Sequence, residues 1–151
     1  MHKKKHLLLA ALLIATSVMS GCVSVPMATP EQDANAKTFR IQPGKSNIYV
    51  YRNESMGGAV KMEVDVDGKQ VGTTAAKTYL VVTVNPGKHT LVSHAEGENN
   101  LVVDTEPGKN HFVWQEVKMG VLYAGSRLQL VDEQTGKAGV GECKLVDIGS
   151  K

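Results

Sequence analysis

The chain has 151 residues, a formal net charge of +2, two cysteines and 5% aromatic residues. Hydrophobic residues at 42% and charged residues at 21% are the balance of one ordinary globular domain and exclude a wholly disordered chain. Two Cys exclude a disulfide scaffold or a multi-cysteine zinc site, and the near-neutral charge offers no basic domain for nucleic acid.

The first 22 residues stand apart. Met1-His2-Lys3-Lys4-Lys5-His6 is basic without an acid, Leu7 to Ala15 is an unbroken apolar run extended by Val18 and Met19, and Ser20-Gly21 are small. This is the tripartite form of a secretory signal, expected over residues 1–21. Its apolar stretch, Leu7 to Met19, is 13 residues long, short of the roughly 20 that a spanning helix needs. Met19-Ser20-Gly21-Cys22 resembles the bacterial lipobox, with Met19 where Leu is usual. The resemblance implies cleavage between Gly21 and Cys22, a diacylglyceryl thioether on Cys22 and acylation of the new α-amine. The partner of Cys22 would then be the membrane, through covalent lipid. Each buried methylene contributes roughly 0.8 kcal/mol, so two or three chains on one cysteine hold durably where one does not. Val23 and Ser24 follow the cysteine, with no Asp. In a Gram-negative host this implies sorting to the outer membrane, on its periplasmic face. Taking the three leader lysines from the 17 basic residues leaves 14 against 15 acidic ones, so the positive balance belongs to the leader.

Residues 22–37 read as the lipidated Cys and a flexible tether. Val23 to Pro30 is small and Pro-punctuated, and Glu31 to Lys37 is polar, with too few apolar residues to pack. From Thr38 to Lys151 a β domain is expected. Ile48-Tyr49-Val50-Tyr51 is β-branched and aromatic. Val60, Met62, Val64 and Val66 alternate with Lys61, Glu63, Asp65 and Asp67, a period of two with one apolar and one charged face. Asp67-Gly68 predicts a tight hairpin turn. Tyr79 to Val84 is nearly continuous in apolar residues, as a strand covered on both faces would be. Leu91-Val92, Leu101-Val103, Phe112-Trp114 and Leu128-Val131 follow, with Trp114 the largest side chain expected in the core. Pro43-Gly44-Lys45, Pro86-Gly87-Lys88 and Pro107-Gly108-Lys109 each predict a type II turn into a strand, at unequal spacings that argue for reused turn chemistry and against a repeat. Seven or eight short strands punctuated by turns predict a small antiparallel β-sandwich. In the tail from Asp132, Gly136, Gly139 and Gly141 speak against a helix, while Cys143, Leu145, Val146 and Ile148 are compatible with a last strand.

No pattern of catalytic or cofactor-binding residues emerges, and neither a cofactor nor a metal is expected. His89 and His94 are five apart, hence on opposite faces of one strand. With His111, they make no zinc spacing. There is no Gly-x-Ser-x-Gly elbow around Ser46, Ser55, Ser93 or Ser126. Cys143 is the one thiol left once Cys22 is lipidated. It reads as an inert, partly buried residue, with an intermolecular disulfide the alternative in an oxidising compartment. Glu63, Asp65 and Asp67 read as the solvated side of a strand, and Tyr51-Arg52 as a possible polar recognition edge.

The middle of the chain resembles a known family. Asn47-Ile48-Tyr49-Val50-Tyr51-Arg52, Val66-Asp67-Gly68-Lys69-Gln70-Val71-Gly72 and Pro86-Gly87-Lys88-His89-Thr90-Leu91, in this order behind a lipobox, are similar to the bacterial lipoproteins of the domain-of-unknown-function family 2846. The same pieces resemble PEGA β-sandwich modules. The resemblance covers Thr38 to Val117 and implies a small periplasmic β-sandwich lipoprotein with no established catalytic residues. The expectation is a non-enzymatic binding or accessory module, its partner an envelope protein on an exposed strand edge, or a glycan. Two other classes stand beside it. One is a small enzyme or metal-dependent hydrolase built from His89, His111 and Asp104 or Glu106; the other is a structural spacer between membrane and cell wall.

Overall fold

Strand β1 (Ser46–Arg52) is buried at every position, and the other elements are arranged around it. The computed structural model describes residues 25–149; the signal segment, Gly21 and Cys22 lie outside them. In chain order, the described elements are α1 (Pro30–Ala36), β1, β2 (Met62–Val66), β3 (Lys69–Thr74), β4 (Thr78–Val84), β5 (Gly87–Ala95), β6 (Gly97–Thr105), β7 (Asn110–Lys118), β8 (Gly125–Val131), α2 (Glu133–Gly141) and β9 (Lys144–Leu145). One sheet has the order β8-β7-β1-β4-β9 and the other β3-β2-β5-β6. The fold is the expected all-β sandwich, with nine strands among the described residues.

The core between the sheets is aliphatic, with Ile48, Val50, Val64, Leu80, Leu91, Val103 and Val113 fully enclosed. The alternation in β2 is as predicted: Met62, Val64 and Val66 point in and Glu63 points out. A second, aromatic core lies on the outer face of the five-stranded sheet. Tyr49, Tyr51, Tyr79 and Phe112 pack there with Val140 and Cys143, and the Tyr49 and Phe112 rings stack at 5.2 Å. The two cores explain why β1 has no exposed residue: its Ile and Val serve one and its Tyr the other. Strand β4, expected to be covered on both faces, is buried only over Thr78–Leu80. Trp114 is half-buried at the margin of the aromatic core, because that core is filled by the smaller rings.

Three larger expectations, on strand direction, the tail and the tether, are corrected as well. The sandwich is not antiparallel throughout, since β7 runs parallel to β1 and β9 parallel to β4. The reason is topological: β6 ends at the edge where β1 begins, so β7 enters from that end and runs beside β1 in the same direction. The tail contains a helix after all. In α2, Gly136 and Gly139 sit against the sheet so closely that an added Cβ would lie 2.1 Å from Phe112 Cγ and 2.2 Å from Tyr51 Cε2. The glycines are there for close approach, and the apolar contact outweighs their poor helix propensity.

The third correction concerns the tether, whose residues 25–37 are packed on the domain. Thr29 and Gln32 form a reciprocal capping box, with Pro30 opening α1. Asp33 Oδ1 accepts the Leu145 N–H at 3.0 Å, Lys37 Nζ donates to the Cys143 carbonyl at 2.7 Å, and the Tyr49 hydroxyl donates to the Ala36 carbonyl at 2.9 Å. Val25 is buried with Ala75 and Val146. A short polar helix needs little apolar surface when polar anchors hold it. The packed unit therefore reaches back to Val25.

The turns share one end of the sandwich. Asp67 and Gly68 both take positive φ, as the predicted hairpin turn requires. Lys45 N–H bonds the Gln42 carbonyl at 3.0 Å and Lys109 N–H the Glu106 carbonyl at 3.3 Å, with Gly44 and Gly108 at φ 73°, so two of the three Pro-Gly-Lys segments turn as expected. The third does not: Gly87, at φ 134°, is already the first residue of β5, paired with Thr105.

Candidate functional site

The three histidines are tied to separate partners. His94 projects from β5 beside β2, with Nε2 2.9 Å from Asp65 Oδ2 and Nδ1 3.2 Å from Glu98 Oε1. The hydrogen bond to Asp65 raises its pKa above the ordinary histidine value. His89 lies at the turn end, Nδ1 2.7 Å from Asp67 Oδ2 and Nε2 2.7 Å from the Asn85 carbonyl. Desolvation pulls its pKa down, but the Asp67 and Asn85 bonds outweigh it and the net shift is upward. The His89 bond holds the Asp67 carboxyl below the usual range. His111 Nε2 accepts the Glu106 N–H at 3.3 Å, and burial lowers its pKa. Glu106 is itself paired with Lys109 at 2.6 Å, and Asp104 is exposed. Among the described residues, no three His, Cys, Asp or Glu side chains gather to hold a metal ion.

The carboxylates Asp65 and Asp67 are thus histidine partners, a role the alternation alone did not reveal. Arg52 is no recognition edge. It is fully buried, and its guanidinium donates to the carbonyls of Val60 at 2.7 Å, Gly57 at 2.5 Å and Met56 at 3.3 Å. It shapes the β1–β2 loop from inside. Cys143 is also buried, its Sγ 3.5 Å from the Arg52 carbonyl, and burial pushes the thiol up to about 12. That is the opposite of an activated thiolate. Ser93 and Ser126 bond each other at 2.7 Å, and Gln115 Nε2 donates to Ser93 at 2.6 Å, joining the two sheets through a buried polar link. Ser46 bonds the Glu106 carbonyl, and Ser55 is exposed in the β1–β2 loop.

The arrangement best suited to binding is an open strand edge that sequence reasoning did not locate. Strand β9 pairs with β4 only at Thr78 and Tyr79. Lys144 N–H bonds the Lys77 carbonyl at 3.0 Å and Val146 N–H the Tyr79 carbonyl at 2.9 Å, so the odd-numbered residues of β4 turn their main-chain groups to that side. Among the described residues, the next in line, Val81 and Thr83, have no strand paired with them. They line a groove of about 390 Å³, shared with Ile148 and Gly149, whose walls are Gln32 and Asn35 of α1, then Arg40, Gln42, Asn47 and Asp147. The groove offers a strand edge, an apolar floor at Val81 and Leu145, and amide side chains at its rim.

Comparison with known proteins follows the same core. The family model described as Protein of unknown function (DUF2846) matches residues 42–126, the stretch from the turn before β1 into β8. The chain belongs to this family. It is also similar to a Haemophilus influenzae protein described as an uncharacterized protein, 34% identical over 138 residues, covering 90% of this chain and 82% of the relative. That coverage extends beyond the family-model match on both sides, into the flanks that hold α1 and α2.

Proposed function

We propose that the protein is a lipid-anchored, non-enzymatic module of the bacterial envelope that captures an extended segment of another envelope protein by strand addition at β4. The observation that carries the binding reading is the open edge at Val81 and Thr83 inside the groove beside α1. Main-chain hydrogen bonds along such an edge supply affinity, and flanking side chains supply selectivity. The anchor reading is supported by the basic start, the apolar run and Met19-Ser20-Gly21-Cys22. Val23 and Ser24 after the cysteine favour the outer membrane, on its periplasmic face. The non-enzymatic reading is supported by the tying of each histidine to a different partner within the fold: His89 to Asp67, His94 to Asp65, and His111 Nε2 to the Glu106 N–H.

Two experiments test this. Cys22→Ala should abolish palmitate incorporation and leave the precursor unprocessed; a variant that matures and stays membrane-bound like the wild type overturns the anchor. A photo-crosslinking residue at Gln42, on the groove wall, should trap one envelope protein in intact cells. Val81→Pro removes the outward main-chain donor at a position where an edge strand tolerates proline, and it should abolish that adduct while preserving the circular dichroism of the fold. An adduct that forms equally well in Val81→Pro means that the β4 edge is not where the partner binds.

A further inference from the structure

One end of the sandwich exposes apolar side chains in a manner that its packing does not explain. In the β7–β8 loop, Met119 is 89% exposed, Val121 93% and Leu122 85%, with Tyr123 beside them at 52%. Met56, in the β1–β2 loop at the same end, is 58% exposed. Exposed apolar residues scattered singly are ordinary, but a contiguous group marks a surface that meets something.

The loop is held in place to display them. The Glu96 carboxylate accepts the N–H groups of Leu122 and Tyr123 at 3.0 Å, and Glu96 N–H bonds the Ala124 carbonyl at 3.2 Å. Gly120 leaves no room for a side chain: a Cβ there would lie 1.8 Å from Glu96 Oε2 and 1.9 Å from the Tyr123 carbonyl. The N–H groups of Leu122 and Tyr123 are therefore satisfied from within the chain, which lowers the cost of taking those two donors out of water, while the Glu96 carboxylate itself belongs at headgroup level.

The position of the chain's N-terminal side names the occupant. Arg52 and Lys118 end the parallel strands β1 and β7, and β4 begins beside Arg52 at Thr78. The β1–β2 loop, the β3–β4 turn and the β7–β8 loop thus share one end. Val25 is buried against Ala75, in that same β3–β4 turn. Cys22 stands three positions before Val25, and three residue steps span at most about 10 Å. A lipid on Cys22 therefore lies within about 10 Å of the chain's entry beside that end. We infer that this end of the sandwich faces a phospholipid bilayer and dips the Met119–Tyr123 loop into its interface. The inference rests on the lipid-anchor reading. Tyr123 and Lys118, an amphipathic aromatic and a long cation flanking the apolar tip, are residue types that settle at headgroup level. The Pro-Gly-Lys turns then point away from the membrane.

The test uses the full lipidated protein, purified from membranes and reconstituted into phosphatidylcholine vesicles with bromine on the acyl chains. Wild type, with Trp114 as its one tryptophan, supplies the baseline. The added emission of Leu122→Trp should be blue-shifted and quenched by the brominated lipid. The added emission of Lys109→Trp, in a turn at the opposite end, should be quenched by an aqueous quencher alone. Three other results overturn the inference while leaving the anchor standing. The protein floats with the vesicles but Leu122→Trp stays open to the aqueous quencher. Both positions are quenched equally by lipid. Leu122→Trp is already blue-shifted without vesicles, which indicates a protein cover. If wild type floats no better than Cys22→Ala, the anchor reading fails and this orientation falls with it.

Discussion

His94 and Asp65, 2.9 Å apart across β5 and β2, give the protein a pH dependence of definite sign. Both His94 and His89 have raised values in the fold, above the ordinary 6.5. Their contribution is complete below the unfolded value and is lost as pH rises through the folded ones. Asp67 is depressed by its bond to His89, so its contribution is present above the ordinary carboxylate value and is lost as pH falls through the lowered one. His111 acts in the opposite sense, since burial lowers it. The melting temperature in thermal unfolding should therefore fall as pH rises above the ordinary histidine value of 6.5, with a smaller fall in His94→Gln. A His94→Gln protein with an unchanged slope removes this pair as the source. At this scale the sequence is legible in types and illegible in partners. Arg52 next to Tyr51 looks like an exposed cation at a strand end, yet the carbonyls that enclose it come from Met56, Gly57 and Val60. Only the path of the loop brings them together.

Helix α2 reverses an ordinary expectation about elements. Alanine in place of a helical glycine is worth about 1 kcal/mol in intrinsic propensity. At Gly139 that gain meets the Tyr51 ring at 2.2 Å, and overpacking of this kind costs about 1–3 kcal/mol. Gly139→Ala should be net destabilising in chemical denaturation, whereas Gly141→Ala, with nothing within 4 Å of its added carbon, should be neutral or stabilising. Equal effects at the two sites would separate the glycines from the close packing. The strands behave otherwise. Periodicity in β2 and the Asp67-Gly68 turn were readable because both depend on neighbours a few residues away.

For the whole molecule, the packed unit has different limits from those composition suggests. A domain starting at Thr38 would lose the partners of Tyr49, Leu145 and Cys143 and uncover Ala75 and Val146. At about 1 kcal/mol per hydrogen bond and about 1.5–3 kcal/mol per large apolar side chain, a chain beginning at Thr38 should be several kcal/mol less stable than one beginning at Cys22. Urea denaturation of the two unlipidated chains measures this, and coincident midpoints would mean that α1 rests on the sheet without stabilising it. The same docking shortens the leash. Sixteen free residues from Cys22 to Lys37 could reach roughly 50 Å, and three reach about 10 Å, so a lipid on Cys22 would hold the domain against the bilayer instead of holding it off.

By itself the sequence determined the β class, the alternation of β2 and the Asp67-Gly68 turn, because each of these is a local preference expressed over a few residues. The family followed from the order of such pieces. The tertiary structure alone decided the parallel course of β7 beside β1, the docking of residues 25–37, the role of the α2 glycines, the burial of Arg52 and the open edge of β4. These depend on groups far apart in the chain. Lys37 and the Cys143 carbonyl are separated by 106 positions, and Asp33 and Leu145 by 112. At such separations no local preference selects the partner; the fold does, once its two cores have placed the strands.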